Sequence, residues 1–184
     1  MTTITLLPLP EVLLITPKRH GDARGWFAET WSRPAMAQAG VDADFVQDNQ
    51  AFSARKGTVR GLHFQTAPHA QAKLVRVVRG AIFDVVVDIR ARSPTFGRWA
   101  GAELTAEGGE QLFVPRGFAH GYCTLTDDSE LTYKVDNLYA PQAEGGLLWN
   151  DPDVGVDWPI PGEPILSDKD RTLPRLKDLP PVRF

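Results

Sequence analysis

"QAKLVRVVRGAIFDVVVDIR", residues 71–90, decides the fold. Two runs rich in β-branched residues flank Arg79-Gly80, a pair suited to a tight turn, so the stretch predicts two consecutive strands. Alternation along the second run puts Ala81, Phe83, Val85, Val87 and Ile89 on one face. Ile82, Asp84, Val86, Asp88 and Arg90 share the other. That charged face either meets water or lines a polar cavity. Antiparallel sheets commonly leave one face solvated, so water is the favoured reading.

The pattern extends both ways from this stretch. Toward the N-terminus, "TVRGLHFQ" (58–65) reads as a strand and "FVQDNQAFSA" (45–54) as extended chain. "EVLLITPKRH" (11–20) is a strand, "GDARG" (21–25) turns, and "WFAETW" (26–31) resumes. Toward the C-terminus, "RWAGAELTAEGGEQLFVPRG" (98–117) gives two strands about Gly108-Gly109. "HGYCTLTDDSELTYKVDNLY" (120–139) gives a pair about Asp127-Asp128. One short helix is expected in "SRPAMAQAGV" (32–41), with Ser32 as its cap, Pro34 in its first turn and Gly40 closing it. Many short strands bounded by turn residues predict an antiparallel sandwich or barrel. Residues 1–184 are read as a single domain, with an irregular tail from about residue 150, rich in proline and aspartate, that wraps over the sheets.

Composition narrows the function classes. Hydrophobic residues are 42% of the chain, enough for a core, and a net charge of -3 offers no basic footprint for nucleic acid. A lone cysteine, Cys123, excludes an internal disulfide framework and a multi-cysteine zinc site, and fits a reducing compartment. The apolar opening segment is broken by Pro8, Pro10 and Glu11 and lacks a basic start or a run long enough to span a bilayer. The expectation is a soluble, cytoplasmic protein.

Four histidines, His20, His63, His69 and His120, show neither the paired-histidine spacing of β-barrel metalloenzymes nor a helical His-Glu-x-x-His arrangement, so metal ligation has weak support. Acid–base work needs a base, an acid and an oxyanion stabiliser. His63 suits the base, Tyr133 in "LTYKV" the acid, and Lys73 the positive charge. Each also has a bland reading: a structural histidine, a core tyrosine, a solvated lysine. "VPRGFAHGY" (114–122) makes a poor core strand; Gly121 admits close approach, and His120 either binds a ligand or fills a strand end.

"VRGLHFQ", "QAKLVRVVRGAIFDVVVDIRARSPTFGRW", "QLFVPRGFAHGY", "YKVDNLYAP", "EGGLLWNDPDVGVDWP" and "LSDKD" together resemble the dTDP-4-dehydrorhamnose 3,5-epimerase family, from about Leu13 to about Leu176. The resemblance implies an all-β, cupin-like jelly roll, a homodimer, and no metal or organic cofactor. It implies a nucleotide-linked 4-keto-6-deoxyhexose as substrate, whose ketone acidifies the C3 and C5 protons. By the same resemblance His63 is the base, Asp170 orients and charges it, Tyr133 is the acid on the other face, and Lys73 stabilises the enolate. Substrate binding falls to Arg24, Glu29, Gln47, Asn49, Arg60, His120, Glu144 and Lys169, with Tyr139 stacking on thymine. The family exchanges its N-terminal segment between subunits, so Arg24 and Glu29 serve the partner's site. Departures are Thr58-Val59 for two aliphatic residues, Tyr122 and Cys123 for phenylalanine and an aliphatic, and Asp136 for threonine. The runner-up is a relative inverting only C3 or C5. A metal-dependent cupin and a non-catalytic sugar-binding jelly roll are weaker alternatives.

One conflict remains for the structure. In a regular strand Arg60 and His63 have opposite parity and point to opposite faces. For both to reach one pocket, Gly61 marks a bulge, or Arg60 bends round from the strand's start.

Overall fold

A computed structural model describes residues 2–41, 43–160, 162–180 and 182–184. In chain order the elements are β1 (Thr3–Leu6), β2 (Leu13–Thr16), β3 (His20–Asp22), β4 (Gly25–Phe27), α1 (Arg33–Gln38), β5 (Gln47–Ser53) and β6 (Val59–Gln65). There follow β7 (Lys73–Arg79), β8 (Ala81–Asp88), β9 (Trp99–Thr105), β10 (Gln111–Val114), β11 (Phe118–Thr124), β12 (Ser129–Val135), β13 (Glu144–Gly146) and α2 (Asp168–Arg171).

The long strands form two antiparallel sheets. The first has the order β1-β2-β10-β7-β12-β5 and the second β13-β6-β11-β8-β9, while β3 and β4 form a separate hairpin. Strands β5 to β8 alternate between the sheets, so the chain crosses at each turn. Gly80, at φ +74°, makes the crossing from β7 to β8 in a single residue. The strands flanking Asp127-Asp128 likewise lie in opposite sheets rather than forming a hairpin. This all-β wrapping is the cupin-like jelly roll.

Three apolar clusters hold it together. Between the sheets lie Val75, Val77, Ile82, Val86, Leu104, Leu112, Val114 and Leu131. The outer face of the first sheet packs Leu13, Ile15, Leu74 and Phe113 against Met36 of α1 and Val41. The helix begins at Ser32, whose side chain makes no capping bond, and Pro34 sits in its first turn. The outer face of the second sheet packs Leu62, Phe64, Val85, Val87 and Ile89 beneath Trp158, Leu176, Leu179 and Phe184 of the tail. The tail wraps as expected, and buries apolar area, the main favourable term in folding.

That wrapping overturns one expectation. The aspartate-bearing face of β8 does not meet water: Asp84 and Asp88 are both 0% exposed. The tail covers the opposite face, so β8 is buried on both sides and the charges turn inward. Asp88 accepts bonds from Arg90, Ser93 and Thr95, which hold its carboxyl down at about 2 against the opposing effect of burial.

Candidate active site

The parity conflict resolves as a bulge. On β11, His120 pairs with His63 and Tyr122 with Arg60, so one residue, Gly121, stands opposite two, Gly61 and Leu62. The extra residue puts both Arg60 and His63 on the inner face. Gly61 and Gly121 make the shift possible by meeting backbone to backbone. A Cβ on Gly61, at φ +114°, would lie 2.7 Å from Gly121 Cα, and one on Gly121 would lie 2.6 Å from the Arg60 carbonyl oxygen.

His63 opens onto a cavity of about 300 Å³ between the sheets. The first sheet contributes Gln47, Asn49, Lys73 and Tyr133; Phe64, Gln65, Gln71, Tyr139 and Glu144 complete the lining. Two larger hollows, of about 780 and 390 Å³, lie beside α1 and on the outer face of the first sheet, away from every histidine.

Behind His63 stands Asp170. Its Oδ1 lies 2.6 Å from His63 Nε2, and its Oδ2 accepts from the Gly61 N–H at 3.4 Å. Asp170 is 3% exposed and sits in the first turn of α2, where Ser167 Oγ accepts from its backbone N–H. A bridge between Thr58 and Ile165 moors the approaching tail to the start of β6. With Nε2 bonded to a carboxylate, Nδ1 is the basic nitrogen. Burial pushes the imidazole below its ordinary value; Asp170 pulls it back upward, and Lys73 and Lys169 push it down.

Lys73 opens β7 on the opposite sheet. Burial brings its ammonium down to about 8, against the pull of Asp84 and Glu144. Tyr133, on β12 of the same sheet, is raised by burial and lowered by the Arg60 guanidinium. A neutral imidazole on one sheet thus faces a protonated phenol and a cation on the other. Such an arrangement can take a proton from one side of a bound ligand and supply one from the other.

At the rim, Glu144 accepts from Lys169 Nζ at 2.7 Å and from the Tyr139 hydroxyl at 3.3 Å. Burial raises the Glu144 carboxyl, but the bond and charge of Lys169, the Tyr139 hydroxyl and His63 together leave the group below its ordinary value. Gln47 donates to Asn49 at 2.8 Å. His120 lies one strand from His63 and bonds Asp84 at 2.6 Å. Arg60 reaches across to β5, donating to Ser53 Oγ and the Phe52 carbonyl, and closes the gap between the sheets. Arg24 and Glu29 do not join the cavity within one chain; both are exposed, and Arg24 pairs with Asp22 on its own hairpin. Among the described residues no cluster of three or more histidine, cysteine or acidic side chains is arranged to hold a metal ion.

Asp84 and Gln71 were not singled out in the sequence. Asp84's signal was its parity with Ile82 and Val86 on a face that proves to be interior. Gln71 lies in irregular chain and carries no such signal.

Known proteins share this sequence pattern and fold. The family described as dTDP-4-dehydrorhamnose 3,5-epimerase matches residues 6–178. A protein of that name from Sinorhizobium fredii is 49% identical over 174 residues, 95% of this chain and 89% of the relative. The Bacillus anthracis enzyme of that name, solved with TDP and pyrophosphate, superposes with a TM-score of 0.92 at 46% identity, covering 95% of this chain and 99% of that one. A dTDP-6-deoxy-D-glucose-3,5-epimerase from Legionella pneumophila, solved with dTDP-4-keto-L-rhamnose, gives 0.94 at 37% identity, covering 100% of this chain and 99% of that one.

Proposed function

This chain belongs to the dTDP-4-dehydrorhamnose 3,5-epimerase family, and on that premise we propose that His63 and Tyr133 carry out its epimerisation from opposite walls of the cavity. The reaction converts dTDP-4-dehydro-6-deoxy-D-glucose to dTDP-4-dehydro-L-rhamnose by inverting C3 and C5, within dTDP-L-rhamnose biosynthesis. The observation that carries the residue roles is the opposition itself: a carboxylate-held imidazole on the second sheet and a phenol on the first, sharing one cavity.

The C4 ketone makes its neighbouring C–H bonds acidic. His63 Nδ1 takes the proton from one of the two carbons flanking the ketone, C3 or C5; the C–H pair moves into the ring and the carbonyl oxygen becomes an enolate. Lys73, charged at neutral pH, stabilises that oxygen. Asp170 stabilises the imidazolium that forms. The Tyr133 O–H bond then breaks, its proton joins the carbon from the opposite face, and the ketone returns. Proton exchange with solvent resets both groups, and the cycle repeats at the other carbon.

Tyr139, 55% exposed at the rim, stacks on thymine in this reading, with Glu144 and Lys169 beside it. Gln47, Asn49 and His120 bind toward the sugar, and Arg60 toward the diphosphate. Arg24 and Glu29 act on the diphosphate of a partner's site in a homodimer. Exposed Ile4 and Leu6 on β1, and Trp26 and Phe27 on the hairpin, support an N-terminal segment that docks on a second subunit. The 184 residues work as one domain in the cytoplasm, without a resident metal or organic cofactor.

Incubation with the keto sugar nucleotide in D2O tests the assignment. Deuterium at both C3 and C5, with product that a 4-keto reductase converts to dTDP-L-rhamnose, is expected. Label at one carbon alone would make the protein a mono-epimerase instead.

A further inference from the structure

Tyr139 stands in the open. It and its neighbour Leu138 are both more than half exposed, and among the described residues Tyr139 belongs to none of the three apolar clusters. Its backbone has left regular structure as well. The chain quits β12 at Val135, and among the described residues 137–139 make no backbone–backbone hydrogen bond. An aromatic arm that orders only when its ligand arrives weakens binding by the cost of ordering it.

Side chains hold this stretch instead, and one of them is buried. Gln65 lies two residues beyond His63 on β6, lines the same cavity and is 5% exposed. Its Nε2 donates to the His69 carbonyl at 2.7 Å and to the Leu138 carbonyl at 3.2 Å. Its Oε1 accepts from the Ala140 N–H at 2.8 Å. The bonds to Leu138 and Ala140 grip the chain immediately before and after Tyr139. Exchanging the amide's oxygen and nitrogen would set an oxygen against two carbonyls and an NH2 against an N–H, so only one orientation fits. Gln71 Nε2 adds a bond to the Asn137 carbonyl at 2.7 Å, and Asn137 Nδ2 one to the Pro68 carbonyl at 3.0 Å. The far end of the ring is tied to the same point of β6. Glu144, which accepts from the Tyr139 hydroxyl, is the partner of Gln65 across the β6–β13 ladder.

Resting on the reading of Tyr139 as the surface on which thymine stacks, we propose that Gln65 is a positioning residue for nucleotide recognition: its carboxamide holds the 138–140 backbone so that the Tyr139 ring is set before the substrate arrives. The base His63 and the anchor of the nucleobase contact then stand on one strand, about 7 Å apart along it. β6 thereby fixes the separation between the sugar's reacting carbons and the ring that receives its base. A binding surface ordered in advance spares the ligand that ordering cost.

A double-substitution cycle tests this, with thymidine diphosphate as the probe and its affinity read by calorimetry. Tyr139→Ala should weaken binding about tenfold, as expected for the loss of one stacked base. Gln65→Met, which keeps the length and removes all three bonds, should weaken it about fivefold, the cost of ordering one aromatic arm. With the keto sugar nucleotide, its KM should rise by more than kcat falls. In the Tyr139→Ala protein, Gln65→Met should add nothing further, because the ring it positions is gone. A glutamine that merely supports the fold would weaken binding by the same factor in both backgrounds, and that result would overturn the proposal. Unchanged binding in Gln65→Met would overturn it too, with the stacking role of Tyr139 left standing. Unchanged binding in Tyr139→Ala would remove the stacking role, and the proposal with it. Should Gln65→Met not fold, the unsubstituted protein still decides. The Ala140 amide, whose partner is Gln65, should exchange slowly with or without thymidine diphosphate. A fast amide that slows only with nucleotide would show that the ligand sets the ring, and would overturn the role of Gln65.

Discussion

Two histidine–aspartate pairs sit side by side on neighbouring strands. His63 bonds Asp170 and His120 bonds Asp84, each through Nε2 at 2.6 Å, and the two histidines are direct partners across the β6–β11 ladder. What separates them is access and origin. The His63 side chain is 31% exposed and faces the cavity, whereas that of His120 is 8% exposed. Asp170 arrives from the tail, 107 residues along the chain, while Asp84 belongs to the same sheet. A carboxylate at hydrogen-bond distance does not by itself make a base. A lone pair that a substrate can reach does.

The sharpest break in that comparison is His63→Ala. Turnover should fall by about 10³, within the range for loss of a general base, with folding and thymidine nucleotide binding retained. Near-normal epimerisation would remove His63 from the mechanism. Tyr133→Phe should produce a comparable loss.

His120→Ala should act first on stability. Asp84 Oδ2 has no partner already, and the substitution strips Oδ1 as well. A loss of about 3 kcal/mol on denaturant unfolding is expected from breaking a buried pair. An unfolding curve superimposable on that of the unsubstituted chain would show the second pair to be dispensable to the fold.

Asp170→Asn keeps the shape and deletes the charge. The amide can donate to Nε2, moving the imidazole proton to Nδ1 and disabling the base, for a loss of roughly 10² in kcat, the low end of the range for a general base. The pH profile carries the sign. In the proposed mechanism His63 works as the neutral base, and its pKa is depressed, so kcat/KM of the unsubstituted enzyme should decline only below the ordinary histidine range. Lys73 is the cation of that mechanism, so the alkaline decline should fall near pH 8. Removing the Asp170 charge lowers the His63 pKa further, moving the acid limb of the residual activity downward. An acid limb that stayed in place would detach Asp170 from the titration of His63.

Much of this was legible in the chain. Strand positions followed from alternation and turn residues, because period 2 is a local property. Which face of β8 is interior was not local. The stretch 81–90 reads as one apolar and one charged face, and the natural inference sends the charges to water. A segment some seventy residues later covers the apolar face, and the charged one becomes the barrel wall. The Arg60–His63 conflict, by contrast, was visible as a violation of parity, and Gly61 named the place where the strand resolves it. Asp170 stayed beyond reach of pattern reading, since nothing near "LSDKD" marks it as a partner of a strand more than a hundred residues away. Resemblance supplied it. Arg24 and Glu29 came by the same route, and a single chain leaves them in solvent.

The bulge has a consequence for dynamics. It turns the Gly61 N–H out of the β6–β11 ladder and gives it to a carboxylate of the tail. Amide exchange at this backbone position is therefore governed by undocking of α2, a local opening, and not by global unfolding of the barrel. An amide in the middle of a sheet thus keeps time for a helix at the other end of the chain, and its protection measures how often the base is without its counter-ion.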